Sequence, residues 1–269
     1  ADFGRNFNIA SNVVASTLAD STSPRLRNAS LDLNDGMLIL VFNETIDTSA
    51  WDRSKVTVYS GEYSSEILLG TTLASSSSEK TVILNLVESQ RSALSSQVAN
   101  GEEVGISLLK GFCSDVVGNL NTVANLTIIS TPDSSSSQLV SGELDLNNGT
   151  LTLTFNEFVN ASLWQAAEAT ISSDSYSGTL ENSILDDQTV DYSVVIVIPE
   201  AQRAELSAVA AEGSAINISI SAYFIQDYGL VFNDAGTISL SLTMDTTIPV
   251  ISSVYVDLND GLVNISFSE

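Results

Sequence analysis

Apolar residues alternate with polar ones at period two along much of this chain. In Thr150-Leu151-Thr152-Leu153-Thr154-Phe155 the leucines and the phenylalanine fall on one face and the threonines on the other. That is the pattern of a half-buried β-strand. Met37-Leu38-Ile39-Leu40-Val41-Phe42 is a more apolar version of it. Asn-Asp-Gly or Asn-Asn-Gly stands before each, and Asn and Gly accept the positive φ of a hairpin turn. Further strands are predicted near 55–60, 65–69, 81–86, 104–109 and 123–129, then near 168–172, 178–183, 190–198, 215–223 and 236–243. One helix interrupts each series. Glu88-Ser89-Gln90-Arg91 opens the first, and Glu200-Ala201-Gln202-Arg203 the second, with Pro199 expected in its first turn. Asp47-Thr48-Ser49-Ala50-Trp51 predicts a short turn capped by Asp47 or Thr48, with Trp51 closing the end of a core.

The series are copies. Leu31-Asp32-Leu33-Asn34-Asp35-Gly36 returns as Leu144-Asp145-Leu146-Asn147-Asn148-Gly149 and again as Val256-Asp257-Leu258-Asn259-Asp260-Gly261, at spacings of 113 and 112 residues. Phe42-Asn43-Glu44 returns as Phe155-Asn156-Glu157 and Phe267-Ser268-Glu269, and Trp51 returns as Trp164. Asp115 and Asn121 match Asp227 and Asn233, and also Asp2 and Asn8. The organisation predicted is the tail of a repeat over 1–20, complete repeats over 21–133 and 134–245, and the start of another over 246–269. The strands that those outer pieces lack are expected to come from a longer chain, a truncation or a neighbouring subunit. Short joints, such as Asp20-Ser21-Thr22-Ser23-Pro24, predict repeats stacked end to end as a rod. About seven short strands per repeat indicate an all-β fold of tandem sandwiches with one short helix each.

Composition narrows the chemistry. Formal net charge is −24, from 9 Lys and Arg against 33 Asp and Glu. After Asp133 the only basic side chain is Arg203. Such a surface repels nucleic acid and anionic lipid and attracts divalent cations. Charged residues are only 16% of the chain, and Ser, Thr and Asn make up the polar surface, which suits an extracellular protein. With no histidine, a Ser-His-Asp triad is excluded. With Cys113 the only cysteine, so are an intrachain disulfide and a cysteine-rich zinc site. Cys113 aligns with Ile225 and reads as a buried thiol, an intermolecular crosslink being the alternative. The dense apolar run Val194–Ile198 is far too short to span a bilayer, so no membrane insertion is expected of this segment.

The residues also carry a resemblance. Val41-Phe42-Asn43-Glu44-Thr45-Ile46-Asp47 looks like the Phe-Ser-Glu-Pro-Val-Asp motif of the Ig-like repeats in bacterial S-layer and other large microbial or protist surface proteins. Gly111-Phe112-Cys113-Ser114-Asp115-Val116-Val117-Gly118-Asn119 resembles that family's Val-x-Asp-x-x-Gly-Asn loop. Thr45 and Phe158 replace the proline, and the second loop departs from the pattern at Asp227-Tyr228-Gly229. The resemblance implies tandem Ig-like sandwiches serving as a spacer, coat or adhesin module, with no enzymatic activity.

Several sites follow as candidates. Asp32 to Gly36 is one residue short of a calcium loop and reads as a turn. Asp20, Asp133 and Asp245 in the joints, with Asp115 and Asp227 in the loops, form a candidate calcium site at repeat junctions; no cofactor is required otherwise. Glu44 and Glu157 read as carboxylates that fix a loop through backbone hydrogen bonds, with a glycosidase pair as a remote alternative. Sequons stand at Asn28, Asn43, Asn125, Asn148, Asn160, Asn217 and Asn264, and the Ser-rich stretches 74–78 and 134–137 are O-glycan candidates. Expected partners are copies of the chain, neighbouring repeats and glycans. The function expected is a structural, cell-surface fibre, filament, flagellar-hair-like appendage, stalk or coat; a calcium-stiffened adhesin stalk is the alternative.

Overall fold

The computed structural model of the chain describes residues 16–47, 49, 51–74, 80–186 and 191–268. Asp2, Asn8, Thr48, Ala50, the serines at 75–78, Val190 and Glu269 lie outside the described residues.

The first set of elements is β1 (Leu26–Asp32), β2 (Met37–Phe42), β3 (Ile46–Asp47), β4 (Val56–Ser60), β5 (Tyr63–Glu66), β6 (Thr72–Leu73), β7 (Thr81–Asn85), α1 (Glu88–Ala99), β8 (Val104–Leu108), β9 (Ser114–Asp115), β10 (Ala124–Thr127) and β11 (Ile129–Thr131). The same order then recurs as β12 (Leu139–Asp145), β13 (Thr150–Phe155), β14 (Val159–Asn160), β15 (Ala169–Ser172), β16 (Ser177–Thr179), β17 (Ile184–Leu185), β18 (Ser193–Val197), α2 (Glu200–Ala211), β19 (Asn217–Ile220), β20 (Gln226–Asp227), β21 (Gly236–Ser239) and β22 (Ser241–Thr243). A last hairpin, β23 (Ile251–Asp257) and β24 (Leu262–Phe267), copies β1 and β2.

Sheet order is the same in both sets. One sheet runs β11-β1-β2-β7-β6 and its counterpart β22-β12-β13-β18-β17. The opposing sheets run β10-β8-β4-β5 and β21-β19-β15-β16. The pairs β3-β9 and β14-β20 stand apart from them. β11 and β22 join β1 and β12 in parallel, whereas the other pairs are antiparallel. In β13, Leu151, Leu153 and Phe155 point inward, as the alternation predicts. Each β-sandwich encloses its own core. One runs from Leu26 to Ile128 and the other from Leu144 to Leu240, with no residue shared. Phe112 and Phe224 lie fully buried at matched positions, each contributing roughly 1.5–3 kcal/mol by burial. Trp51 and Trp164 meet them edge-on at 6.1 and 6.2 Å.

Some boundaries differ from the pattern. The single strand expected over 123–129 is two, because buried Ile128 marks where the chain leaves the β8 sheet for the β1 sheet. Leu240 does the same in the second set. The stretch 178–183 contains a turn between β16 and β17. Pro199 has extended backbone (ψ 148°) and caps α2 from outside, so the helix starts at Glu200. Asp47 makes the expected local turn by accepting from the Ser49 N–H at 2.9 Å. The hairpins all carry the same irregularity near their start, between Leu26 and Asn28, Leu139 and Ser141, and Ile251 and Ser253. Each turns through a glycine at φ 71°, a backbone that side chains other than glycine's rarely tolerate. In β23 and β24, Val254, Val256, Val263, Ile265 and Phe267 are exposed.

Candidate functional site: the joint between repeats

The repeated Leu-Asp-Leu-Asn motif builds the end of each sandwich that faces the next. Asp32 Oδ1 accepts from the Asn34 backbone and side-chain N–H groups at 3.0 and 2.8 Å, which fixes the turn. The freed Asn34 Oδ1 accepts from the Ser134 N–H and hydroxyl at 3.0 and 2.8 Å and from the Ser135 hydroxyl at 3.2 Å. Asn147 holds Thr246 and Thr247 in the same way. The turn therefore grips the outgoing linker. The linker aspartates curl it locally: Asp20, Asp133 and Asp245 accept from the N–H two residues on, at 2.9, 3.1 and 2.9 Å. The O-glycan candidate stretch 134–137 lies in this joint. Ser134 and Ser135 are engaged by Asn34, and Ser137 is fully buried.

The helix arginine completes the grip. Arg91 is 5% exposed and sends its guanidinium in four directions. Nε and Nη2 meet Glu88 at 2.7 and 2.6 Å, and Nη1 donates to the Leu33 carbonyl at 2.8 Å. Nη1 also pairs with Asp133 of the linker, and Nη2 with Glu157 of the next sandwich at 2.6 Å. Glu88 in turn accepts from the Phe158 N–H at 3.2 Å. One side chain thus ties its own helix, its own hairpin turn, the linker and the following sandwich. Arg203 repeats this with Glu200, the Leu146 carbonyl and Asp245 at 2.6, 2.7 and 2.9 Å. Glu157 is a correction to the sequence reading. It is buried against Arg91 rather than fixing a loop through backbone hydrogen bonds.

Of the predicted metal residues, the fold brings Asp20 and Asp115 together with Glu44, and Asp133 and Asp227 together with Glu157. Within each trio the nearest carboxylate oxygens all lie within 4.8 Å of one another. Asp245 stands in neither trio and instead faces Arg203. The glutamates were missed as members of these sites, although Glu44 and Glu157 share the repeat spacing of the aspartates beside them.

The trios differ in how their loop aspartate is satisfied. Asp115 Oδ1 accepts from the Val117 and Asn119 N–H groups, and Oδ2 from the Asn119 side chain at 2.8 Å. Burial pushes its pKa up, but those hydrogen bonds outweigh it and hold the carboxyl below its usual range. Asp227 has Val231 where Asp115 has Asn119. Its Oδ1 accepts from the Val231 N–H at 2.9 Å, but buried Oδ2 has no donor among the described residues. Burial pushes Asp227 up to about 6, with Asp133 adding to the rise. Burial also pushes Glu157 up to about 7; the positive charge of Arg91 pulls it back, while Asp133 and Asp227 push it further. Glu88 is desolvated too, but Arg91 more than offsets this and lowers it.

The remaining candidates are dispersed. Asn28, Asn125, Asn148 and Asn264 are exposed, and Asn43, Asn160 and Asn217 half-buried. Asn43 Oδ1 accepts from the Arg25 N–H at 2.6 Å, which makes that sequon part of the hairpin's closure. Cys113 is a buried free thiol, 4% exposed, as the alignment with Ile225 predicts. Among the described residues no helix is long and apolar enough to cross a membrane.

No protein-family model and no curated protein matches the chain. Among solved structures it is similar to the N-terminal part of the bacterial S-layer protein SbsC, at TM-score 0.30 and 10% identity over 83% of this chain. The chain spans 45% of that protein's length. It is also similar to the titin Ig tandem domains A164-A165, at TM-score 0.28 and 10% identity, covering 83% of this chain and 98% of that one. A third likeness, at TM-score 0.35 and 11% identity, is to native alpha-2-macroglobulin from Escherichia coli spanning domains MG0-NIE-MG1, with 90% of this chain and 80% of that chain covered.

Proposed function

We propose that this chain is a structural, non-catalytic part of an extracellular surface protein, in which Ig-like repeats 21–133 and 134–245 stack into a stiff array that serves as a fibre, stalk or coat. The observation that carries this is Arg91, which bonds its own sandwich, the linker and the next sandwich at once. A freely swinging tether needs no such contacts, and Arg203 repeats those to its own sandwich and to the outgoing linker. The weakly charged, hydroxyl-rich composition supports an exposed surface outside the cell. Glu157, the remote catalytic candidate, is occupied by Arg91, which favours a structural role for it.

Small-angle scattering on the whole chain tests the reading. A stiff array gives one narrow distribution of long interatomic distances, and Arg91→Met broadens it. A parent chain that scatters as freely jointed beads refutes the stacked array. Turnover of any polysaccharide in a substrate panel, lost in Glu157→Gln, refutes the non-catalytic part.

A further inference from the structure

The joint at Asp133 holds more negative charge than its arginine can balance. Glu88, Asp133 and Glu157 all bond Arg91, and Asp227 stands with Asp133 and Glu157 in the trio. Three carboxylates therefore share one guanidinium, and a fourth stands beside two of them. Asp227 is 1% exposed, and its Oδ2 is buried without a hydrogen-bond donor among the described residues. Leaving a buried charged oxygen unpaired is costly, so such atoms are normally paired or bound to metal. An open groove of about 310 Å³, lined by Asn34, Glu88, Arg91, Ser135 and Glu157, leads from solvent to the joint.

We propose that Asp133, Glu157 and Asp227 bind a calcium ion that locks this joint, alongside Arg91. The inference rests on the stacked-array reading and names the ligand of its joint. The ligands are all carboxylate oxygens, with no imidazole or thiolate, which selects a hard cation. Calcium suits the site better than magnesium, because it accepts irregular oxygen shells completed by water. Of the two carboxylate trios among the described residues, only the one at Asp133 offers such a site. At the first, Asn119 already donates to Asp115 Oδ2, and Asp20 is exposed. Glu44 Oε1 lacks a donor there, but the residue is only half-buried. The replacement of Asn119 by Val231 is thus what opens the second trio to a cation.

Isothermal titration of the chelator-treated whole chain with calcium chloride tests this. The expected result is one site per chain with Kd on the order of 10⁻⁴ to 10⁻³ M, as for extracellular calcium modules. Asp227→Asn abolishes it and Asp115→Asn leaves it in place. Val231→Asn, which restores the amide donor and removes no carboxylate, weakens it at least about tenfold, the lower end of what altered support of a ligand costs. Val231→Asn also decides the matter if Asp227→Asn does not fold. No calcium heat up to 10 mM, binding unchanged in Val231→Asn, or binding lost in Asp115→Asn overturns the proposal. Scattering in chelator separates the two readings: a stiff chain that binds no calcium removes the ion and keeps the stacked array.

Discussion

Arg91→Met removes the guanidinium while keeping a good helix former of similar length at the position. The structure sets the size of the effect. Arg91 bonds Glu88, Asp133 and Glu157, whose side chains are only 19, 2 and 9% exposed. Deleting one partner of a buried ion pair costs about 3–5 kcal/mol, because the remaining charge stays buried and unpaired. The cost is capped by the free energy of opening the joint, since an open joint hydrates all three carboxylates. With a urea slope of about 1–3 kcal/mol per molar for a domain of this size, a loss of that order moves the midpoint by roughly 2 M. Trp51 and Trp164 report on separate cores, so fluorescence of Trp51→Phe and Trp164→Phe backgrounds follows each sandwich alone. The chain is not a two-state unit, and each midpoint is therefore read separately. In chelator, Arg91→Met lowers both midpoints. A double-mutant cycle with Glu157→Gln gives a coupling of about 1–3 kcal/mol across the joint. Arg91→Lys recovers part of it, since an ammonium keeps the charge but lacks the planar fork. A midpoint change below about 0.3 M, with coupling under about 0.5 kcal/mol, refutes the claim that Arg91 fastens one sandwich to the next.

Other outcomes follow from single groups. Asn121 is fully buried, accepts from the Gly111 and Cys113 N–H groups at 3.0 and 3.1 Å and donates to the Leu109 and Thr122 carbonyls at 2.9 and 3.0 Å. Asn121→Ala strands four backbone groups and costs about 3 kcal/mol or more, read as a lower Trp51 midpoint, with Asn233→Ala doing the same at Trp164. Burial pushes the Cys113 thiol up to about 12, so a thiol reagent at pH 8 labels it only as fast as the chain opens, and immediate labelling contradicts its burial. Without calcium, Glu157 and Asp227 hold protons more tightly folded than unfolded, near 7 and 6 against ordinary values of 4.5 and 3.8. Their stabilising contribution is therefore present at low pH and lost as pH rises through 6 to 7. The melting temperature in chelator rises as pH falls from 8 to 5.5, and Glu157→Gln flattens that rise; a fall in the parent contradicts the assigned burial.

The strands, their turns and their repetition were legible along the chain, because those rest on local rules. Period-two alternation puts Leu151, Leu153 and Phe155 on one face, and a glycine at φ 71° closes each hairpin. Trp51, Trp164 and Cys113 were legible as core because a repeat aligns like environments. Sheet switching at Ile128 and Leu240 was not, since either sheet accepts the same alternating residues, and which one receives the strand depends on the far side of the sandwich. The joint was only half legible. Linker and loop aspartates stand out as acidic residues near turns, but Glu157 meets Arg91 across 66 positions of sequence, a distance no local pattern encodes. That Arg91 reaches Glu157 of the following sandwich emerges only from the folded contacts. The same holds for Asp227, whose Oδ2 meets no donor among the described residues. Both depend on contacts between residues far apart in the sequence, which form only once each core has folded by its own alternation.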